Sequence, residues 1–211
     1  TAKNACMKYN GKSPHQCVFG DSITTNATDL KLPISKNTNP IHTYNEKAQW
    51  KAQQSVKRSY QEEVLDKLSK IVPEGFQLKQ YGALPYDEAR YPLYAVVPIN
   101  IDSNKPSALI TGGVHGYETS GVQGALQFID AKLATFKDLF NIVVVPCVSP
   151  WGYETINRWN PLALDPNRSF YPGSPATESA QLIKLVNELA LPLALHIDLH
   201  ETTDTDNSEF R

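Results

Sequence analysis

Two residues in a short glycine-rich segment have the chemical types and the spacing of a metal-binding pair. His115 and Glu118 lie three positions apart in the segment 111–120, which follows an apolar run predicted to be a buried strand and precedes a helical pattern over 121–129. In open α/β sheets, ligands collect at the carboxyl ends of strands. An imidazole and a carboxylate both suit zinc. The pair alone does not separate a metal site from a surface turn that carries both residues by chance.

A predicted strand at 193–200 supplies a candidate for a third ligand. Its alternation places His196, Asp198 and His200 on one face. His200 lies at the carboxyl end, at the level expected for His115, whereas His196 lies about 13 Å away along the strand. One ion cannot bind both histidines, so we predict that His200 is the ligand and that His196 is a hydrogen-bonded core residue. We expect Asp198 to be a supporting partner rather than a ligand.

The proline-rich segment 149–175 offers cations that a charged transition state or an anionic substrate would need. Two histidines and one glutamate leave the fourth position of zinc open for water, whose pKa the metal lowers. Arg158 and Arg168 are candidates to face the resulting negative charge. Asn167 and Arg168 together form a plausible clamp for a substrate carboxylate. For either arginine alone, pairing with a surface carboxylate is the simpler explanation.

Strands alternate with helices along most of the chain, which predicts an α/β fold with a mixed, largely parallel twisted sheet and helices on both faces. Residues 1–42 lack periodicity and are expected to form an irregular arm, followed by one domain over 43–211. A capping box at 43–46 opens a predicted helix that continues to residue 71. The other predicted elements are strands at 76–81, 91–101 and 140–148, an irregular loop at 149–175 and a helix ending at residue 189.

The composition fits one soluble globular domain, because the 211 residues are 41% hydrophobic and 20% charged with a net charge of −2. No run of like charges predicts nucleic-acid binding, and no apolar stretch predicts a membrane span. No signal segment is visible, which favours a cytoplasmic location but leaves the compartment open. Cys147 is predicted to be a buried thiol, whereas Cys6 and Cys17 either pair or stay reduced.

Six short motifs occur in the order found in the zinc carboxypeptidase superfamily, which the chain resembles from about residue 46 to its end. That superfamily includes the succinylglutamate desuccinylase/aspartoacylase branch. The short gap between Arg158 and Asn167 is more similar to that branch, whereas the elements ahead of the first motif are more similar to the carboxypeptidases proper, so both remain open. The motifs are GVHGYE at 113–118, SPWGY at 149–153, RW at 158–159, LDPNR at 164–168, PATE at 175–178 and DLH at 198–200.

For the metal centre, the resemblance implies that His115, Glu118 and His200 bind one zinc ion. It also implies that Asp165 accepts a hydrogen bond from His115 and orients its ring. The expected fold is accordingly a zinc carboxypeptidase-like sheet.

For the substrate, the resemblance implies that Arg158 stabilises the oxyanion formed when water attacks the scissile carbonyl. Asn167 and Arg168 would hold the free carboxylate of the substrate. The expected activity is that of a zinc-dependent metallocarboxypeptidase, which hydrolyses the C-terminal peptide bond of a peptide through a zinc-activated water. The alternatives are an N-acyl amino acid deacylase of the aspartoacylase/succinylglutamate desuccinylase type and a non-catalytic carboxylate-binding relative.

The sequence departs from the superfamily pattern in one respect. The general base of the superfamily is a glutamate on a strand well after the third zinc ligand, and we expect this position to lie beyond Arg211. Glu201 is adjacent to a ligand and is expected to face away, and Glu209 is the only other late glutamate. We therefore expect the chain to be part of a longer active enzyme, with a sheet that lacks its C-terminal strands.

Overall fold

The structure is a computed structural model that describes residues 40–201, with side chains from residue 46 onward. Most of the predicted N-terminal arm, both Cys6 and Cys17, and Glu209 lie outside this range. The strands are β1 Phe76–Ala83, β2 Pro92–Pro98, β3 Ser107–Gly112, β4 Asn141–Val145 and β5 Leu193–Leu199. The α-helices are α1 Pro40–Ala52, α2 Asp66–Ile71, α3 Thr119–Ala131, α4 Pro150–Thr155 and α5 Thr177–Leu189.

The five strands form one mixed sheet in the order β1-β2-β4-β3-β5. β1 pairs with β2 and β2 with β4 in antiparallel fashion, whereas β3 runs parallel to both β4 and β5. Every residue of β3 and β4 is buried, as expected of strands covered on both faces. Helix α3 packs against β3 and β5, and α5 packs against β1. The predicted α/β class is confirmed, and so is the burial of Cys147, which is a free thiol just beyond β4.

The predicted continuous helix from 43 to 71 is wrong. Helix α1 begins at Pro40, so the motif at 43–46 lies inside the helix rather than at its start, and α1 ends at Ala52. A second helical segment starts with a π-helical turn at Gln61–Leu65 and continues into α2. Between them, the backbone N–H groups of Lys57 and Arg58 donate to the carbonyl of Glu154 at 2.8 and 3.3 Å. These bonds to α4 replace the bonds that would have continued the helix, so tertiary contacts override the apolar periodicity.

The segment 149–175 is not wholly irregular, because it contains helix α4 and a short 3₁₀ turn at Pro166–Arg168. Helix α4 begins with Pro150, a residue well suited to the first helical position, and ends where Ile156 adopts a left-handed backbone conformation with φ 54°. Little in the sequence indicates this helix, since it is six residues long and contains Gly152, which lowers helix propensity.

All three tryptophans of the chain meet where α1 contacts this segment. The ring centroid of Trp50 lies 6.0 Å from that of Trp151 in α4 and 5.9 Å from that of Trp159. Gln54 extends the contact, because its side-chain oxygen accepts a hydrogen bond from Asn157. The tryptophan cluster therefore fixes α1 beside the residues that lead into Arg158.

Across residues 40–201, no helix combines the length and the apolar character that crossing a bilayer requires.

Candidate metal centre

The loop between β3 and α3 holds the first two predicted ligands in a fixed, buried position. Its start continues the β3–β4 pairing, since Ser149 donates its backbone N–H to the carbonyl of Gly113 at 2.9 Å. Gly116 lies so close to α4 that a Cβ atom there would overlap the backbone of Gly152 and Tyr153. Only glycine permits such an approach. His115 and Glu118, on either side of this contact, are each 2% exposed.

The structure brings His115, Glu118 and His200 together. Strands β3 and β5 are parallel neighbours, so the loop after β3 and the end of β5 lie at the same edge of the sheet. Nδ1 of His115 lies 2.8 Å from one carboxylate oxygen of Glu118, and Nδ1 of His200 lies 2.8 Å from the other. One ligand atom from each of the three side chains lies within 4.8 Å of the others. No other cluster of this kind occurs among the described residues.

The donor set fits zinc. Two imidazole nitrogens and one carboxylate are the ligands of a common class of catalytic zinc site, in which a fourth position stays open. The other ring nitrogen of each histidine is held by a carboxylate: Nε2 of His115 lies 3.0 Å from Asp165, and Nε2 of His200 lies 2.6 Å from Asp198. Such carboxylate–histidine contacts fix the tautomer and ring orientation of metal ligands. In both histidines, Nδ1 is therefore the ring nitrogen that faces Glu118 and that a metal ion could use.

The three candidate ligands form a strongly coupled charge cluster. Burial raises the pKa of Glu118, but hydrogen bonds from His115 and His200 outweigh this effect and lower the pKa to about 2. Hydrogen bonds to Asp198 and Glu118 raise the pKa of His200 to about 10. Burial lowers the pKa of His115, but its hydrogen bonds to Asp165 and Glu118 have the larger effect, so the net shift of the pKa is upward. A metal ion must therefore displace protons from these rings to bind.

Asp165 joins the metal centre to the cationic residues predicted from the sequence. Its carboxylate accepts hydrogen bonds from Arg158, with Nη2 at 3.1 Å and Nε at 3.3 Å, and from Nη1 of Arg168. It also accepts the backbone N–H of Asn167 at 2.9 Å. Burial raises the pKa of Asp165, but the bond from His115 and the charges of His115 and Arg158 lower it more. The Arg158 side chain is 16% exposed and that of Arg168 is 64% exposed, so Arg168 is the more accessible of the two.

The sequence did not single out Thr111, which supports Asp198. The Thr111 hydroxyl donates to Asp198 at 2.7 Å and lies 3.0 Å from Nε2 of His196. His196 is thus hydrogen-bonded, as its position on β5 predicted. The only signal for Thr111 in the sequence was a polar residue directly after the apolar run 108–110, and the structure places it opposite Asp198 in the β3–β5 pairing.

Glu201 faces away from the ligands. Its carboxylate accepts both the backbone N–H and the hydroxyl of Ser120, at 3.0 and 2.9 Å. Ser120 lies in the first turn of α3, where a carboxylate is favourable. Glu201 therefore fastens the end of β5 to α3.

A sequence profile of the succinylglutamate desuccinylase/aspartoacylase catalytic domain matches residues 104–209, half of the chain, and this span contains all of the candidate site residues. The chain belongs to the succinylglutamate desuccinylase/aspartoacylase family. This membership, together with the fold, confirms the resemblance to the zinc carboxypeptidase superfamily. A search of the curated proteins finds no match to the sequence.

Solved structures share the fold at low sequence identity. A candidate metallopeptidase from Shewanella denitrificans is 24% identical, with a TM-score of 0.58 over 65% of this chain and 52% of its own. A candidate carboxypeptidase A from the same species is 23% identical, with a TM-score of 0.56 over 65% of this chain and 38% of its own. Bovine thrombin-activatable fibrinolysis inhibitor is 16% identical, with a TM-score of 0.55 over 73% of this chain and 62% of its own. The chain thus spans about half the length of the first of these structures.

Proposed function

We propose that the protein is a zinc-dependent hydrolase that cleaves an amide bond next to a free carboxylate, and specifically a metallocarboxypeptidase. The observation that carries this proposal is the position of Glu118 between the Nδ1 atoms of His115 and His200, at 2.8 Å from each. Each of these rings is held from behind by a further carboxylate. This is the arrangement that a hydrolytic zinc site needs.

The two arginines beside the candidate metal centre bind different negative charges in this proposal. When bound, zinc polarises the scissile carbonyl and lowers the pKa of a water molecule. Arg158 is held by Asp165, which also contacts His115, and in this proposal it stabilises the oxyanion of the transition state. Arg168 is exposed, and in this proposal it binds the carboxylate of the substrate together with Asn167. A substrate carboxylate would compete with Asp165 for the Arg168 guanidinium.

A second candidate activity is the hydrolysis of N-acyl amino acids. The match of residues 104–209 to the succinylglutamate desuccinylase/aspartoacylase domain favours it. Similarity in fold to proteins named as carboxypeptidases supports the peptidase. Both activities use the same ligands and the same carboxylate clamp, and they differ only in the acyl group.

A substrate panel tests the proposal. The full-length protein, loaded with zinc, is incubated with N-blocked dipeptides that have either a free or an amidated C-terminus, and with N-acyl amino acids. We expect cleavage that requires the free carboxylate. Preference for the dipeptides supports the peptidase, and preference for small acyl groups supports the deacylase. Zinc binding without hydrolysis of either class would contradict both and support the carboxylate-binding alternative.

The two arginines provide a second test within the same assay. In Arg158→Ala, loss of oxyanion stabilisation should lower kcat by about 100- to 1,000-fold. In Arg168→Ala, loss of the carboxylate contact should act mainly on KM. Equal effects of both substitutions on KM alone would contradict the assignment of Arg158.

A further inference from the structure

Arg58 lies ahead of the segment matched by the family profile. It contacts the loop between β3 and α3, residues 113–118, which we call the ligand loop. Its Nη2 donates to the carbonyl of Gly116 at 2.9 Å, and its Nη1 donates to the Thr119 hydroxyl at 2.6 Å. Gly116 lies between the candidate ligands His115 and Glu118, and Thr119 directly follows Glu118. The Nε of Arg58 donates to the carbonyl of Tyr153 in α4 at 2.6 Å. All three guanidinium nitrogens are thus used, and they join two separate segments.

The Arg58 guanidinium is itself held in a fixed orientation. It lies over the Tyr153 ring, with Cζ 3.5 Å from the ring centroid. The Tyr153 hydroxyl donates to Glu63 at 2.7 Å and accepts from Gln123 at 2.9 Å, which fixes the ring below it. The backbone N–H of Arg58 donates to the carbonyl of Glu154. A planar guanidinium with stacked and hydrogen-bonded partners is a rigid connector, unlike a solvated surface arginine.

Arg58 bridges the contact between the ligand loop and α4, and this contact sets the distance between the metal ligands and Arg158. On the α4 side, the chain continues through Asn157 into Arg158. The carbonyl of Asn157 accepts the backbone N–H of Tyr117, inside the ligand loop, at 3.1 Å. Displacement of the loop from α4 would therefore move the metal ligands relative to the oxyanion-binding arginine.

We propose that Arg58 is a positioning residue for the metal centre: it clamps the ligand loop onto α4 and thereby fixes both ligand geometry and the placement of Arg158. This inference rests on the proposed zinc-dependent function. It differs from a general stabilising role, because it requires that loss of the clamp changes the metal site itself. Outer contacts of metal ligands typically affect metal affinity by about 10- to 100-fold.

The test compares Arg58→Met with Arg90→Met. Arg90 is a matched control, because it also bonds α4, through Glu154 at 2.7 Å, and lies over the ring of Tyr91. Zinc affinity is measured by competition with a chromophoric chelator, and ligand geometry by the visible absorption spectrum of the cobalt-substituted protein. Thermal unfolding of the metal-free proteins measures stability. Arg58→Lys, which keeps the charge but not the planar fork, serves if the methionine variant does not fold.

We expect Arg58→Met to weaken zinc binding about 10-fold or more and to alter the cobalt spectrum, with a smaller change in the lysine variant. Arg90→Met should keep both properties of the wild type. Wild-type zinc affinity and an unchanged cobalt spectrum in the Arg58 variants would overturn the positioning role while leaving the proposed function intact. Failure of the wild type to bind zinc would overturn both, and zinc binding without hydrolysis would overturn the hydrolase alone.

Discussion

At the scale of single residues, the candidate metal centre depends on how each imidazole is held from both sides. His200 lies between Glu118 and Asp198, and His115 lies between Glu118 and Asp165. Of these five side chains, two are buried and two are half-buried, and ionised groups in such positions would be costly without partners. The buried ones are His115 and Glu118, and the half-buried ones are Asp165 and Asp198. Their mutual bonds offset that cost, and a divalent cation between the Nδ1 atoms and Glu118 would offset it further.

The carboxylate behind His200 should therefore control metal affinity. Asp198→Ala removes the acceptor that fixes the His200 ring, and we expect zinc affinity to fall by about 10- to 100-fold. Chelator competition measures the change. Asp130→Ala, which removes an exposed carboxylate from α3, is the control and should bind zinc like the wild type. Equal affinities for the two variants would show that Asp198 does not support the ligand.

Glu178 provides a test of pH dependence away from the metal centre. Its side chain is 1% exposed, and burial raises its pKa, although Asn160 donates a hydrogen bond to it at 3.3 Å. The folded state thus binds this proton more tightly than the unfolded state. The contribution of Glu178 to the free energy of unfolding is therefore fully present below the ordinary pKa of glutamate and is lost as the pH rises through the higher pKa of the folded state.

Glu178→Gln should therefore unfold at a higher temperature than the wild type near pH 7, and the difference should shrink toward pH 4. Thermal unfolding across this pH range measures the effect. Glu188→Gln, on the exposed side of the same helix, is the control and should show no such trend. A glutamine variant of residue 178 that is less stable at neutral pH would refute the argument.

At the scale of elements, the decisive contact is the one between the ligand loop and α4. The contact depends on Gly116, where a methyl group would overlap the backbone of α4. A shift of either element by the size of that methyl group would disturb both His115 and Glu118, which flank the glycine. The loop and α4 therefore behave as one unit.

Gly116→Ala should destabilise the fold by about 1–3 kcal/mol or more and should weaken zinc binding, because the loop must move away from α4. Gly124→Ala is the matched control. Gly124 lies in α3, where a Cβ atom would meet only Leu199 Cδ1 at 3.9 Å. That substitution should stabilise the protein by about 0.5–1 kcal/mol, because alanine is the better helix residue. Denaturant unfolding measures both, and similar stabilities would contradict the close approach at Gly116.

The elements also show which features the sequence could predict. The proximity of His115 and Glu118 was predictable because a glycine-rich turn between a strand and a helix is a local pattern, and the position of His200 was predictable because strand alternation is local too. The break between α1 and α2 depends on bonds from Lys57 and Arg58 to Glu154, almost a hundred residues away. No local pattern encodes such contacts, and for the same reason the roles of Arg58 and Thr111 emerged only from the folded chain.

At the scale of the whole molecule, a bound metal would connect two strands. His115 and Glu118 follow β3, and His200 follows β5, so one ion would fasten the carboxyl ends of neighbouring strands. The unfolded chain does not hold these ligands together. Metal binding and folding are therefore linked.

Zinc at about 100 times its dissociation constant should stabilise the protein by about 2.7 kcal/mol, which corresponds to a rise in Tm of about 5–10 °C. Differential scanning calorimetry with and without zinc measures the shift. Mg²⁺ should have no comparable effect, because it prefers oxygen ligands. His200→Ala should lose most of the zinc response, and a full response in that variant would exclude His200 as a ligand.

The contact among Trp50, Trp151 and Trp159 gives the molecule a built-in optical probe. Because the chain has no other tryptophan, its entire indole fluorescence originates from one location. Trp159 is 44% exposed and is covalently adjacent to Arg158. Emission intensity and wavelength therefore report, without any label, on whether α1 stays docked against α4 and on the surroundings of the chain beside Arg158.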